Sequence, residues 1–287
     1  MRLSVLRKVV MPAAGLGSRL LPVTKEMPKE MLPVFCRCRN SRDICLKPIL
    51  QVIFETLTDA GGREFCIIVG RGKRSVEDYF TLDEEFVSQL ARDGKNAMAS
   101  ELSEFYRRIK QTTVVFINQP EPRGFGDAVL RARNFVGKEP FILHAGDDLI
   151  ASNPHSVGHI SRLNKVFFSM EADAAFFVEA TRNPERYGVI RSRLIQRDLY
   201  KVLEVVEKPR RPPSKLGVIA IYALSPEVFG YLQRAKPDRK GELQLADAVQ
   251  RMIEDDRRVF ALGLQRGEHR FDVGTPQTYL RALGATL

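Results

Sequence analysis

Residues 9–33 combine glycines, prolines and cations in a pattern that suits a ligand rich in phosphate. Gly15 and Gly17 follow a short apolar run, so backbone N–H groups there can approach a ligand that a side chain would block. Arg19 and Lys29 add charged donors to the same stretch, and such donors form strong hydrogen bonds with phosphate oxygens. The stretch therefore predicts a turn that binds a polyphosphate.

Acidic side chains follow predicted strands at two distant places in the sequence. Asp147 and Asp148 come after the apolar run Phe141–Leu143, and Asp272 lies between Phe271 and Val273. Mg²⁺ is often held by one or two protein carboxylates and completes its octahedron with phosphate oxygens and water. Carboxylates at strand ends therefore suit a metal ion that accompanies a polyphosphate. We interpret Asp148 as a loop acid or a helix N-cap.

Two common phosphate-binding motifs do not fit the glycine stretch. A dinucleotide fingerprint requires a third glycine where Leu20 stands, and a P-loop requires G-x-x-x-x-G-K-[S/T], whereas Gly72-Lys73 continues with Arg74. Residues 15–33 instead resemble the signature G-x-G-[S/T]-R-x-x-P-x-T-x-x-x-P-K-x-x-L-P of the sugar-1-phosphate nucleotidylyltransferases. The Thr-Lys and Pro-Lys-Glu-Met-Leu-Pro details resemble the branch of that family that acts on UTP and glucose 1-phosphate.

Further segments resemble the same family in its order along nearly the whole chain, although the family usually has His where Asp127 stands. They are Gln119 with Gly124, Tyr187-Gly188-Val189, Val206-Glu207-Lys208-Pro209 and the segment 241–248. The resemblance implies catalytic roles for Arg19, Lys29 and Lys208; nucleotide binding by Ala14, Gly15, Gly17, Gln119 and Gly124; sugar binding by Gly188 and Glu207; and Mg²⁺ ligation by Asp147 and Asp272.

The reaction that this resemblance implies is an in-line displacement with no covalent enzyme intermediate. A phosphate oxygen of α-D-glucose 1-phosphate attacks the α-phosphorus of UTP, which gives UDP-glucose and releases pyrophosphate. Arg19 and Lys29 would hold the pyrophosphate and Lys208 would orient the attacking group, so that positioning and charge neutralisation supply the rate. Relatives commonly form dimers or tetramers, so the resemblance also implies a homo-oligomer.

Other functions are compatible with parts of the pattern. A thymidylyl- or cytidylyltransferase, or an enzyme that uses another hexose 1-phosphate, would have the same fold and metal site. A second alternative is a catalytically inactive relative that regulates another protein or binds nucleic acid through its basic surface. Retention of Arg19, Lys29, Asp147, Lys208 and Asp272 together argues against loss of catalysis.

The composition is that of a globular protein with a basic balance. The 287 residues include 45 Lys and Arg against 35 Asp and Glu, a net charge of +10. These charges do not cluster in one helix or tail, and no zinc-finger or RRM signature is present, so small anionic substrates or a solubilising surface explain them as well as nucleic acid does. Arg7 and Lys8 interrupt any signal-peptide core and no segment is long enough to span a membrane. We expect a cytoplasmic protein with neither a membrane nor a nucleic-acid partner.

Three of the four cysteines lie in the segment Phe35–Cys45, which bacterial members of the resembled family lack. Cys36, Cys38 and Cys45 have none of the standard zinc spacings and no nearby His. We therefore expect free thiols in a basic loop near the mouth of the nucleotide site. Cys66 lies in an apolar run and is predicted to be part of the core.

The elements that would position these residues alternate between strands and helices before residue 150. This order predicts βαβ units, and closely spaced strands after residue 172 add a mixed region. We expect an α/β fold with a Rossmann-like, mixed but mainly parallel sheet flanked by helices. One domain over residues 1–287 would comprise a nucleotide half, about 1–150, and a sugar half, about 151–287. Gly15, Gln119 and Asp147 each follow a predicted strand, so their loops should meet in one cleft.

The predicted strands are Val9–Met11, Phe65–Val69, Val114–Ile117, Phe141–Leu143, Ala174–Val178, Val189–Arg191, Val202–Val206, Val218–Tyr222 and Val259–Leu262, and the predicted helices are Pro48–Asp59, Ser75–Phe80, Asp127–Phe135, Pro226–Arg234, Leu245–Glu254 and one from Pro276.

Overall fold

The structure, a computed structural model, describes residues 5–39, 43–151 and 158–285. Its strands are largely the short apolar runs of the sequence, which are buried on both faces as a helix-covered sheet requires. In chain order the strands are β1 (Lys8–Pro12), β2 (Pro33–Arg37), β3 (Ile44–Pro48), β4 (Glu64–Gly70), β5 (Thr113–Gln119), β6 (Phe141–His144), β7 (Asp148–Ala151), β8 (Ala174–Ala180), β9 (Gly188–Gln196), β10 (Leu199–Glu207), β11 (Leu216–Leu224), β12 (Val259–Gly263) and β13 (His269–Asp272).

Nine of these strands form one sheet in the order β5-β4-β1-β6-β11-β8-β12-β10-β9. The first four are mutually parallel, and β11 and β10 run against the other seven. The expected mixed sheet flanked by helices is therefore confirmed, with seven of its nine strands running in one direction but only four of its nine strand pairings parallel. Because β6 pairs with β11, the sheet joins strands from both halves of the chain without a break.

Helices cover both faces of this sheet. Alternate residues of each strand belong to two separate cores: Phe65 and Ile67 pack on one face, and Cys66 and Ile68 pack on the other. Among the described residues, no helix has the length and apolar character needed to cross a membrane. The helices are α1 (Ile49–Asp59), α2 (Arg74–Tyr79), α3 (Glu84–Arg92), α4 (Asn96–Lys110), α5 (Phe125–Arg131), α6 (Arg133–Val136), α7 (His159–Ser169), α8 (Val228–Arg234), α9 (Leu245–Glu254) and α10 (Pro276–Leu283).

The cysteine-containing insertion is not the loop that the sequence predicted. Most of it forms the antiparallel hairpin of β2 and β3, in which Cys36 is opposite Cys45. Lys47, buried on β3, forms ion pairs with Glu55 on α1 at 3.0 Å and Glu101 on α4 at 3.1 Å. The hairpin is thus attached to the helices, and within the described ranges none of its residues lines the cavities described below.

A second small sheet was also missed because its strands are far apart in the sequence. Strand β7 pairs antiparallel with β13, which places Asp148 directly opposite Asp272. The prediction that Asp148 is a loop acid or helix N-cap is therefore wrong: it is a buried strand residue. Similarly, the single helix predicted over Asp127–Phe135 is divided into α5 and α6 at Ala132.

Candidate active site

Two adjoining cavities open where β1, β5 and β6 end. The glycine-loop cavity has a volume of about 340 Å³ and the carboxylate cavity about 430 Å³, and Arg19, Lys29 and Asp147 line both. The cleft that the strand ends predicted is therefore present. The glycine-loop cavity also contains Ala14, Gly15, Gly17, Gln119 and Gly124, and the carboxylate cavity also contains Gly188, Glu207, Lys208 and Asp272, so every site residue predicted from the sequence lies in one or both.

The turn after β1 is held in a fixed shape by its own side chains. Gly17 has a φ of 65°, a left-handed conformation that suits glycine, and Thr24 donates a hydrogen bond to its carbonyl oxygen at 2.8 Å. The stem of Lys29 crosses Gly15 so closely that a Cβ at Gly15 would lie 3.4 Å from Lys29 Cε. The Lys29 stem therefore packs directly on the Gly15 backbone, and Gly17 packs against Thr24.

The far wall of the glycine-loop cavity is formed by the connection from β5 to α5. The buried Gln119 amide donates hydrogen bonds to the Gly124 carbonyl at 3.1 Å and to the Asp127 carboxylate at 2.8 Å. Gly124 has a φ of 97°, and a Cβ there would lie 2.7 Å from the carbonyl oxygen of Leu243. Backbone packing from the second half of the chain therefore fixes this wall.

An ion pair lies where the two cavities meet. The Lys29 ammonium contacts the Asp147 carboxylate, and both side chains are largely buried. Burial opposes charge on both groups, but each charge stabilises the other, so the pKa of Lys29 is raised and the pKa of Asp147 is lowered from their ordinary values. A fixed cation and a fixed carboxylate therefore face the junction.

Beside this pair, the carboxylate cavity also contains the carboxylates of Asp148 and Asp272. Burial, together with the neighbouring carboxylates of Asp148 and Asp147, raises the pKa of Asp272 to about 6. Within the described residues, no three His, Cys, Asp or Glu side chains are arranged to hold a metal by themselves. Asp147 and Asp272 both line this cavity. Two carboxylates beside a space for phosphates suit Mg²⁺, which often uses two protein carboxylates and takes its other ligands from phosphate and water.

The opposite wall of the carboxylate cavity comes from β9 and β10. Gly188 pairs with Glu207 in the ladder, and Lys208 follows with its ammonium 2.9 Å from the Glu207 carboxylate. Lys208 has a left-handed backbone with a φ of 42°, and its N–H donates to the Tyr187 carbonyl at 3.0 Å. An adjacent acid and base at a strand end are often only a solvated surface pair, but here both line the cavity.

Besides Asp148, four charged residues at the cavities were given no role from the sequence. Glu242 lines both cavities. Arg186 and Arg270 line the carboxylate cavity. Glu30 lines the glycine-loop cavity and forms a buried ion pair with Lys73 at 2.8 Å. Two of them had a signal. Glu242 lies in the segment 241–248 that resembles the family, and Arg270, in a strand, shares a face with Asp272 two residues later.

Comparison with known proteins agrees with the fold. The profile of the nucleotidyl transferase family matches residues 8–287. The chain therefore belongs to the nucleotidyl transferase family.

Relatives within that family share a common name. The chain is 35% identical over 274 residues to the UTP--glucose-1-phosphate uridylyltransferase of Bacillus subtilis, which covers 93% of this chain and 86% of that protein. It is 33% identical over 281 residues to the enzyme of the same name from Pseudomonas aeruginosa, with 97% and 95% covered. A solved structure of UDP-glucose pyrophosphorylase complexed with UDP-glucose is 30% identical, covers 98% of each chain and has a TM-score of 0.81.

Proposed function

We propose that this protein transfers a uridylyl group from UTP to α-D-glucose 1-phosphate, which gives UDP-glucose and pyrophosphate. The observation that carries the proposal is the arrangement of two cavities that share Arg19, Lys29 and Asp147. Two substrates bound in adjoining cavities would bring their phosphates together at this shared wall. The names of the relatives supply the identity of the nucleotide and the sugar.

In this proposal the glycine-loop cavity binds UTP. The backbone at Ala14, Gly15 and Gly17 faces the triphosphate, and the Gln119 and Gly124 wall faces the base. The two hydrogen bonds that the Gln119 amide nitrogen donates to Gly124 and Asp127 hold the amide in one orientation. They use both N–H donors, so Gln119 would recognise the base by accepting a hydrogen bond from a pyrimidine N–H at its amide oxygen. The first half of the chain thus supplies nucleotide binding.

The carboxylate cavity binds glucose 1-phosphate. Glu207 accepts hydrogen bonds from sugar hydroxyls beside the Gly188 backbone, and Lys208 orients the phosphate whose oxygen attacks UTP. Arg19 and Lys29 stabilise the charge that develops on the departing pyrophosphate. Asp147 and Asp272 would hold Mg²⁺, which when bound neutralises charge on the crowded phosphates.

Product analysis tests this proposal directly. The protein is incubated with Mg²⁺, glucose 1-phosphate and, separately, UTP, dTTP, CTP, ATP or GTP, and the products are separated by anion-exchange chromatography. We expect UDP-glucose as the main product and its loss on addition of EDTA. If dTDP-glucose is the main product, the protein transfers thymidylyl groups and not uridylyl groups. If no nucleotide sugar forms with glucose 1-phosphate or with other hexose 1-phosphates, the proposal is overturned.

A further inference from the structure

Arg270 forms a buried cluster beside the carboxylates that the proposed function assigns to Mg²⁺. Its Nε and Nη2 donate to the two oxygens of Asp148, each at 2.7 Å, and its Nη1 donates to Glu179 at 2.8 Å. The side chains of Arg270 and Asp148 are 9% and 5% exposed. A planar guanidinium that binds a carboxylate through two parallel bonds fixes distance and orientation together.

This cluster joins the two strands that carry the Mg²⁺ carboxylates. Asp147 immediately precedes Asp148 at the start of β7, and Asp272 lies two residues after Arg270 on β13. The Val273 N–H also donates to the Asp147 carbonyl at 2.9 Å. The position of Asp147 relative to Asp272 therefore depends on how β7 and β13 are held together.

We propose that Arg270 is a positioning residue that fixes the separation of Asp147 and Asp272 through its bidentate bond to Asp148. This inference rests on the proposed function, because it takes these two carboxylates as the metal ligands. Arg270 itself is given no contact with the metal. Groups that orient metal ligands in this way often change metal affinity by about 10- to 100-fold when they are replaced.

The charges in the cavity support this role. Asp147, Asp148 and Asp272 are three acids in one small buried region, and Asp148 lies opposite Asp272 in the ladder. Without a partner, the Asp148 carboxylate would repel its two neighbours and favour a wider spacing. The guanidinium neutralises Asp148, which leaves Asp147 and Asp272 to face the metal.

Arg270 also contacts the wall assigned to the sugar phosphate. Its guanidinium carbon lies 5.2 Å from the centre of the Tyr187 ring, and the Tyr187 carbonyl accepts the hydrogen bond from Lys208. One side chain therefore supports both the metal carboxylates and the backbone before Gly188. Replacement of Arg270 should therefore shift both the carboxylates and the Tyr187 backbone.

Arg270→Lys is the most informative variant, because it keeps the positive charge but cannot make the planar bidentate contact. Arg162→Lys is a matched control. Arg162 is also a largely buried arginine, with a side chain 12% exposed. It pairs with Glu268 at 2.6 Å and lies 5.5 Å from the Phe177 ring, but it lines neither cavity. The Mn²⁺ dissociation constant of each free protein is measured by electron paramagnetic resonance, and thermal unfolding is measured on the same samples.

We expect Arg270→Lys to weaken Mn²⁺ binding at least about tenfold. Arg162→Lys should lower the melting temperature and leave the Mn²⁺ dissociation constant within about twofold of wild type. Asp148→Asn keeps one acceptor for the guanidinium but loses the bidentate carboxylate, so it should weaken Mn²⁺ binding relative to wild type. If Arg270→Lys does not fold, Asp148→Asn alone decides the test, and wild-type Mn²⁺ affinity in it would overturn the proposal.

Wild-type Mn²⁺ affinity in both Arg270→Lys and Asp148→Asn would overturn the proposal, as would equal weakening in the Arg162→Lys control. Absence of Mn²⁺ binding by the wild-type protein would overturn it as well. Weakened Mn²⁺ binding in Arg270→Lys, in a protein whose wild type forms no nucleotide sugar, would support the positioning role and overturn the proposed function instead.

Discussion

The two cavities are shaped by different parts of the chain, one by backbone and the other by charged side chains. The glycine-loop cavity is shaped by backbone: Gly17 and Gly124 have left-handed conformations, and a Cβ on Gly124 would collide with the Leu243 carbonyl. The carboxylate cavity is shaped by charged side chains that hold one another across strands, such as Arg270 with Asp148. Steric packing of the backbone therefore fixes the glycine-loop cavity, and ion pairs between side chains fix the carboxylate cavity.

This difference predicts how each site responds to change. Backbone packing has few alternatives, so a small addition to a glycine should distort the whole glycine-loop cavity. Charged side chains are flexible, so the carboxylate cavity should tolerate an added methyl group but not a lost charge. We expect substitutions to lower activity most at residues that line both cavities, because they affect both sites at once.

Lys29→Met should cause the greatest loss of activity, because Lys29 lines both cavities and contacts Asp147. We expect kcat to fall at least about 10²- to 10³-fold, the usual consequence of removing a preorganised charge from a transition state. Lys25→Met is the control, since Lys25 belongs to the same loop but its side chain is 79% exposed. Steady-state kinetics on both variants check the prediction, and similar losses in both would contradict it.

Lys208→Ala should lower kcat by about 10²-fold and leave the KM for UTP nearly unchanged, because Lys208 lines only the carboxylate cavity. The left-handed backbone strains lysine and alanine alike, so Lys208→Ala removes the ammonium without adding backbone strain. Lys208→Gly removes the same side chain without that strain and should lose the same activity. Near-normal turnover in Lys208→Gly would show that Lys208 does not orient the attacking phosphate.

The same contrast explains how much could be predicted from the sequence. Gly15, Gly17 and Lys29 lie within 15 residues of one another, so the turn that they form could be recognised locally. The sheet could be predicted as well, because strands such as β4 are uninterrupted apolar runs. Local spacing carries this information without any knowledge of distant contacts.

The pairing of β7 with β13 could not be predicted in this way. Each strand has only four residues, and each becomes a strand because the other lies beside it. Asp148 therefore looks like a loop acid until Arg270 is brought to it from a position 122 residues away. Electrostatic sites formed across such distances need the folded topology before their residues can be assigned.

Gly124→Ala should damage the nucleotide site more than the sugar site. The φ of 97° and the 2.7 Å approach to the Leu243 carbonyl leave no room for a methyl group. Forcing a non-glycine residue into such a conformation costs about 1 to 3 kcal/mol, so we expect a lower melting temperature and a KM for UTP raised about tenfold. Calorimetry and kinetics check this, and a larger change in the KM for glucose 1-phosphate would contradict the assignment of the two cavities.

Gly188→Ala should have the smallest effect, because the added Cβ would lie 3.1 Å from Glu207 Oε2, the end of a flexible side chain. The carboxylate can rotate away, so the free energy of unfolding should change by no more than about 0.5 kcal/mol. The displaced carboxylate should raise the KM for glucose 1-phosphate about two- to fivefold and leave the KM for UTP unchanged. A loss of stability as large as that of Gly124→Ala would show that backbone packing also shapes the carboxylate cavity, and the contrast between the two sites would then be wrong.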